Sequence, residues 1–279
     1  MNAMPGPRAR AGLKRGLAAL ERAGHDPRAA TGMTLLIYHR VDGGTPDERD
    51  LPLSSFESQI EELSKHRVLS LDVALDELCA GDPSPKVVLT FDDGFEDVHS
   101  RAWPKLREAG LPFTIYVTTA YIDGTMHWPG STSQHPGPAL SWTQLEELAS
   151  SPLVTIGNHT HTHPLPQRLT AEELDTCSRL LQQRLGVEPR HFCFTWGVPV
   201  PTARPLLEAR FRSAATGFAG RNQPGDDPLR LHRIPVRGSD PLSFFRAKLT
   251  GSLQAERAYE RIVQLAKRRR SGPRVPPEP

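Results

Sequence analysis

Continuous apolar runs alternate with amphipathic stretches along this chain. Thr34-Leu35-Leu36-Ile37-Tyr38 and Val87-Val88-Leu89 are apolar runs of strand length, which predicts strands buried on both faces. Further strands are expected at 113–118, 153–156, 192–194, 213–216 and 233–236. Between them the spacing turns helical. Phe56, Ile60 and Leu63 predict a helix over 55–66 with Ser54 or Ser55 as its N-cap. Other helices are expected at 72–78, 98–109 (ending at Gly110), 143–150, 171–185 (ending at Gly186), 205–209 and 255–268. Strands that alternate with helices need crossover connections, and these imply a parallel sheet.

Length and composition narrow the class. A chain of 279 residues buries a large core, and α/β barrels of that size fold as one domain. The 3 cysteines have no paired spacing, which argues against a disulfide framework and a zinc finger. Residues 1–31 lack the apolar core of a secretory signal, and no stretch has the length of a membrane helix. The expectation is a soluble, cytoplasmic protein. Charge is uneven: residues 1–30 carry +4, residues 261–279 carry +5, and the body carries −7 of a total of +2. An acidic body argues against a nucleic-acid partner. The basic ends, Lys267-Arg268-Arg269-Arg270 among them, read as solvated tails, with peripheral contact to an anionic membrane as the sharper alternative.

The chemistry sits where the strands end. Asp92 and Asp93 follow the Val87 strand in Thr90-Phe91-Asp92-Asp93-Gly94, and the 153–156 strand leads into His159-Thr160-His161-Thr162-His163. Taken singly, Asp-Asp-Gly reads as a turn and the histidines as a polar loop. Together, each after an apolar strand, they read as a hydrolytic metal site. His159 and His163 would lie roughly 13 Å apart on a strand but about 6 Å apart on a helical turn, so convergence on one ion requires a turn. His161 then points elsewhere. Two histidines and one carboxylate leave a coordination position open, as in catalytic zinc sites. A second aspartate can then take a proton from water: Asp93 faces the ion and Asp92 the water. This donor set accepts Zn2+, Co2+ or Ni2+, with Zn2+ the first expectation.

These residues resemble the polysaccharide deacetylase family, the carbohydrate esterases with a NodB-like domain, in Thr-Phe-Asp-Asp-Gly and His-Thr-x-Thr-His-Pro. The likeness extends more loosely over residues 33–240, through Tyr38-His39-Arg40-Val41, Leu140-Ser141-Trp142 and Leu185-Gly186. It implies a distorted (β/α)7 barrel that removes acetyl groups from N-acetylated sugars, with an N-acetylated carbohydrate as partner. By the same resemblance Asp93, His159 and His163 hold the metal and Asp92 is the general base. His39 is similar to the general acid of the branch that deacetylates poly-N-acetylglucosamine, and His232 is its rival. Arg233 either pairs with Asp92 and keeps it ionised or makes a surface salt bridge.

One motif departs from the pattern. Phe194-Thr195-Trp196-Gly197 stands where the family has Arg or Tyr, then Pro and an aromatic residue. The backbone N–H of Trp196 remains a candidate oxyanion donor, while the shape of the sugar pocket is put in question. The family's later Asp and Trp motif has no counterpart. Two other readings follow: a catalytically silent sugar-binding barrel, and a barrel amidase acting on a non-sugar amide. The expected organisation is a basic extension at 1–31, a deacetylase domain at 32–250, and a helix with a basic, Pro-rich tail at 251–279.

Overall fold

The apolar runs become the strands of one seven-stranded sheet in the computed structural model, which describes residues 6–23, 30–128 and 136–270. The strands are β1 (Met33–Tyr38), β2 (Lys86–Phe91), β3 (Phe113–Val117), β4 (Val154–Asn158), β5 (His191–Cys193), β6 (Ser213–Ala215) and β7 (Ile234–Pro235). Their order is β6-β5-β4-β3-β2-β1-β7, and every pairing is parallel. The segment carrying β7 meets both edges of the sheet. Ile234 pairs with Leu36 of β1, and Leu231 bridges in parallel to Ala215 of β6. That closes an α/β barrel of the NodB-like type, distorted because one closing strand is only two residues long.

Side chains alternate across β2, so Leu89 and Phe91 lie on one face and Thr90 on the other. Phe91 stacks on Tyr38, with ring centroids 5.1 Å apart, and meets Phe56 and Phe113 edge-on. All four rings are buried, and they fix β1, β2 and β3 against the Leu53–Leu63 helix. Opposite Tyr116 of β3 the partner on β4 is Gly157. A Cβ there would lie 2.5 Å from the tyrosine ring, so glycine is what lets that ring lie across the neighbouring strand.

Two helices differ from expectation for local reasons. The 98–109 segment is a π-turn, Val98–Ala102, followed by a helix at Trp103–Glu108. Pro104 has no N–H to continue the ladder, and the wider turn accommodates the gap. The helix expected at 55–66 starts earlier, at Leu53 behind Pro52, and has no side-chain cap, so neither Ser54 nor Ser55 serves as N-cap. By contrast the Ala171–Leu185 helix ends at Gly186 in the left-handed conformation, as its sequence predicts.

The barrel occupies a unit of residues 31–238. A second unit comprises residues 1–30 with 239–279. In it the N-terminal segment, expected to be a solvated extension, is helical over Pro7–Ala23. Lys14 is fully buried and donates to Asp240 and Ser239, each at 2.6 Å. Lys248 pairs with the same Asp240 and with Glu256. The Leu242–Thr250 helix, which the sequence reading placed in the main domain, belongs to this unit. The side chains of Lys267–Arg270 and all of 271–279 lie outside the described residues. Among the described residues no helix is long and apolar enough to cross a membrane.

The aromatic cluster sets the barrel's stability. Phe91→Ala should cost about 3–5 kcal/mol, read as a lower urea midpoint with an unchanged m-value.

Candidate active site

Asp92 and Asp93 leave β2 at its C-terminal end. The Asp92 N–H donates to the Tyr38 carbonyl, which extends the β1–β2 pairing by one residue. Asp93 then turns to φ 75° and Gly94 to φ 101°, and the two carboxylates diverge. Both are buried.

The histidine segment follows β4 in the same way, without forming a helical turn. Thr160 and His163 adopt left-handed φ values of 69° and 53°, and the His163 N–H donates to Thr160 Oγ1 at 3.1 Å. The Asn158 side chain accepts from the Thr160 N–H and donates to Leu174 O and Ser178 Oγ, which ties the bend to the Ala171–Leu185 helix. The bend brings the rings of His159 and His163 to 5.1 Å. Nε2 of His159 is 3.4 Å and Nε2 of His163 is 3.6 Å from Asp93 Oδ1. His161 points away and meets Thr119 Oγ1 at 2.9 Å.

Asp93, His159 and His163 therefore present three buried ligand atoms within 4.8 Å of one another. Further features fit a divalent cation. Asp93 Oδ2 is buried and has no hydrogen-bond partner among the described residues. His159 Nδ1 lies 2.8 Å from the Cys193 carbonyl, which only accepts, so Nδ1 carries the proton and Nε2 is the free lone pair. Burial opposes the charged form of Asp93, but the nearby histidines outweigh it and hold the carboxyl well below its usual range. Burial, helped by the neighbouring His159, pushes His163 down to about 3 against the pull of Asp93, which leaves a neutral ligand. On His159 burial acts downward, but the hydrogen bond to Asp93 and the charge of Asp92 raise it, so a proton on Nε2 competes with a cation for this ring.

A second triad, Asp92, His159 and Cys193, has equally close atoms. It is the poorer site. Arg233 donates to Asp92 Oδ1 at 2.7 Å and Oδ2 at 2.8 Å, so a cation there would face a guanidinium. Burial also keeps the Cys193 thiol protonated by raising its pKa.

Arg233 makes no surface salt bridge. It is wholly buried, and it also donates to Thr90 Oγ1 and to the Thr216 carbonyl. The Tyr116 ring lies 5.7 Å from it. Burial alone would raise the Asp92 carboxyl, but the Arg233 charge and hydrogen bonds overcome this and hold it below the ordinary value.

These groups share one cavity of about 150 Å³. His39 lines it and His232 does not. Burial lowers the His39 imidazole, Asp93 and Asp92 pull it up, and the cations Arg49 and Arg233 add to the lowering. Trp196, at φ 61°, lines the cavity from the turn after β5. Gly197 follows because a Cβ there would stand 2.7 Å from Gly217 Cα. Three residues that the motifs do not single out also belong to the site: Arg49 and Trp128 in the cavity wall and Cys193 behind Asp92. Arg49 pairs with Asp47, and Trp128 sits in a loop with no motif of its own.

A family model described as polysaccharide deacetylase matches residues 80–209. No curated protein matches the chain in sequence. Among solved structures, IcaB from Ammonifex degensii is 27% identical with a TM-score of 0.68, over 80% of this chain and 97% of that one. The deacetylase PplD of Streptococcus pyogenes, solved with acetate, is 20% identical with a TM-score of 0.64, over 77% and 96%. The polysaccharide deacetylase BC0361 of Bacillus cereus is 19% identical with a TM-score of 0.65, over 78% and 68%. The last two share the fold. The matched segment holds Asp92, Asp93, His159 and His163 at its strand ends, so in that segment the chain is similar to the polysaccharide deacetylase family, and its fold is that of the IcaB structure.

Proposed function

We propose that the protein hydrolyses the acetamide of an N-acetylated amino sugar within a glycan, in the manner of the poly-N-acetylglucosamine deacetylase-like branch. One observation carries this reading: an aspartate held ionised by a buried arginine stands beside an Asp-His-His triad on the same cavity. Asp93, His159 and His163 would hold a divalent ion, with Zn2+ as the first choice. When bound, such an ion supplies positive charge that polarises a carbonyl and acidifies water. PplD was crystallised with acetate, which would be the product here.

The chain's own groups divide the remaining work. Asp92 takes the proton from the attacking water, and its ionised state comes from Arg233. Both Asp92 oxygens already accept from that guanidinium, so its lone pairs are oriented before substrate arrives. His39 gives a proton to the departing amine, and its place in the cavity wall supports it over His232. The N–H of Trp196 stabilises charge growing on the carbonyl oxygen. Arg49, a second cation at the cavity wall beside Arg233, orients the sugar.

Acetate release from N-acetylhexosamine monomers and oligomers tests the assignment. Asp92→Asn should lose on the order of 10²–10⁴ in rate with its metal content intact. His39→Ala should lose activity, and His232→Ala should keep it. Near-normal rates for Asp92→Asn would remove the base from this account, and glycan binding without acetate release by the wild type would favour the silent barrel.

The buried pair gives a pH prediction. The folded pKa of Asp92 is depressed, so its contribution to stability is present above the ordinary carboxylate value and lost as pH falls through the folded value. In Arg233→Met burial is opposed only by the weaker pull of His159 and His39, so the Asp92 pKa rises and the acid limb of kcat/KM moves to higher pH. Stability at neutral pH should fall by about 3–5 kcal/mol, because an unpaired carboxylate is left buried.

A further inference from the structure

The two histidines of the triad are held by different means. The His159 ring is fixed by its Nδ1–H on the Cys193 carbonyl. His163 is equally buried, yet its Nδ1 has no hydrogen-bond partner on another described residue. A ligating imidazole normally takes its orientation from that outer bond. Here aromatic packing stands in the same place. The Trp128 ring lies 3.9 Å from the His163 ring, inclined by 30°, and Trp196 lies 5.5 Å away at 58°. Trp128 is itself set in a buried cluster with Phe95, Met126 and Ala139.

The backbone beside His163 is gripped as well. Thr195 Oγ1 and Trp196 Nε1 both donate to the carbonyl of Pro164, at 2.9 and 3.2 Å. His163 and Trp196 both occupy the left-handed region, where a non-glycine residue persists only if its surroundings hold it. Thr195 stands where the family's pattern has Pro, and its hydroxyl supplies a donor to the Pro164 carbonyl that a proline side chain lacks.

We propose that Trp128 and the Thr195-Trp196 turn are positioning residues for His163, orienting its imidazole by stacking and by a doubly donated Pro164 carbonyl. This rests on the reading of Asp93, His159 and His163 as a metal triad. The full-length metal-free protein is titrated with Co2+, following the cobalt absorption band and tryptophan fluorescence. Trp128→Leu should weaken cobalt binding by at least about tenfold and alter the band, whereas Trp128→Phe, which keeps a flat ring, should restore both. Thr195→Val removes one donor to Pro164 with little change of shape and should shift affinity in the same direction, which decides the matter if Trp128→Leu does not fold. Wild-type affinity and spectrum in both Trp128→Leu and Thr195→Val would overturn the proposal. His163→Ala separates the two levels. Its loss of cobalt binding beside unaffected Trp128 and Thr195 variants would contradict the positioning role alone, while undiminished binding would contradict the triad and the proposal together.

Discussion

The buried ion pair between Arg233 and Asp92 is the constraint on which the site depends. A wholly buried guanidinium is costly unless its donors are satisfied, and here the Asp92 carboxylate, Thr90 Oγ1 and the Thr216 carbonyl accept from it. These partners come from the ends of β2 and β6, while Arg233 enters on the segment that closes the barrel between Ala215 and Leu36. The segment that closes the barrel is therefore also the one that keeps Asp92 ionised. A pair of this kind adds little net stability over a well-packed apolar substitute. It does fix a charge at a defined point in a cavity, which is what proton transfer requires.

With Asp92 committed to Arg233, the adjacent Asp93 is left to the histidines. The sharp turn at Asp93 and Gly94 sends neighbouring carboxylates in different directions, so one dipeptide meets Arg233 with its first residue and the two histidines with its second. The Cys193 segment links the halves: its carbonyl orients His159, and its sulfur lies against the Asp92–Arg233 pair. Rigid strand ends supply these groups, and the Trp196 turn and the loop bearing Trp128 enclose them.

The strand runs, the Ala171–Leu185 helix and the acid and histidine motifs were legible in the sequence because each is local: a period, a cap or a spacing. What was not legible depends on contacts across the fold. Arg233 read equally well as a surface residue until barrel closure buried it. Trp128, Arg49 and Cys193 carry no spacing signal, since only the folded cavity gathers them. The Pro7–Ala23 helix was hidden because its buried face includes Lys14 and Glu21 rather than an apolar stripe. The histidine bend came out as a pair of left-handed residues instead of a helical turn, since Asn158 and Thr160 hold that geometry through side-chain hydrogen bonds.

The central claim is that a cation belongs to Asp93, His159 and His163 while Asp92 remains with Arg233. Anomalous diffraction at the zinc edge, from crystals of the zinc-loaded protein, tests it most directly. A single peak bounded by Asp93, His159 and His163, with the Arg233–Asp92 pair intact, is the predicted result. A peak between Asp92, His159 and Cys193 with Arg233 displaced, or no peak in the cavity, would contradict it.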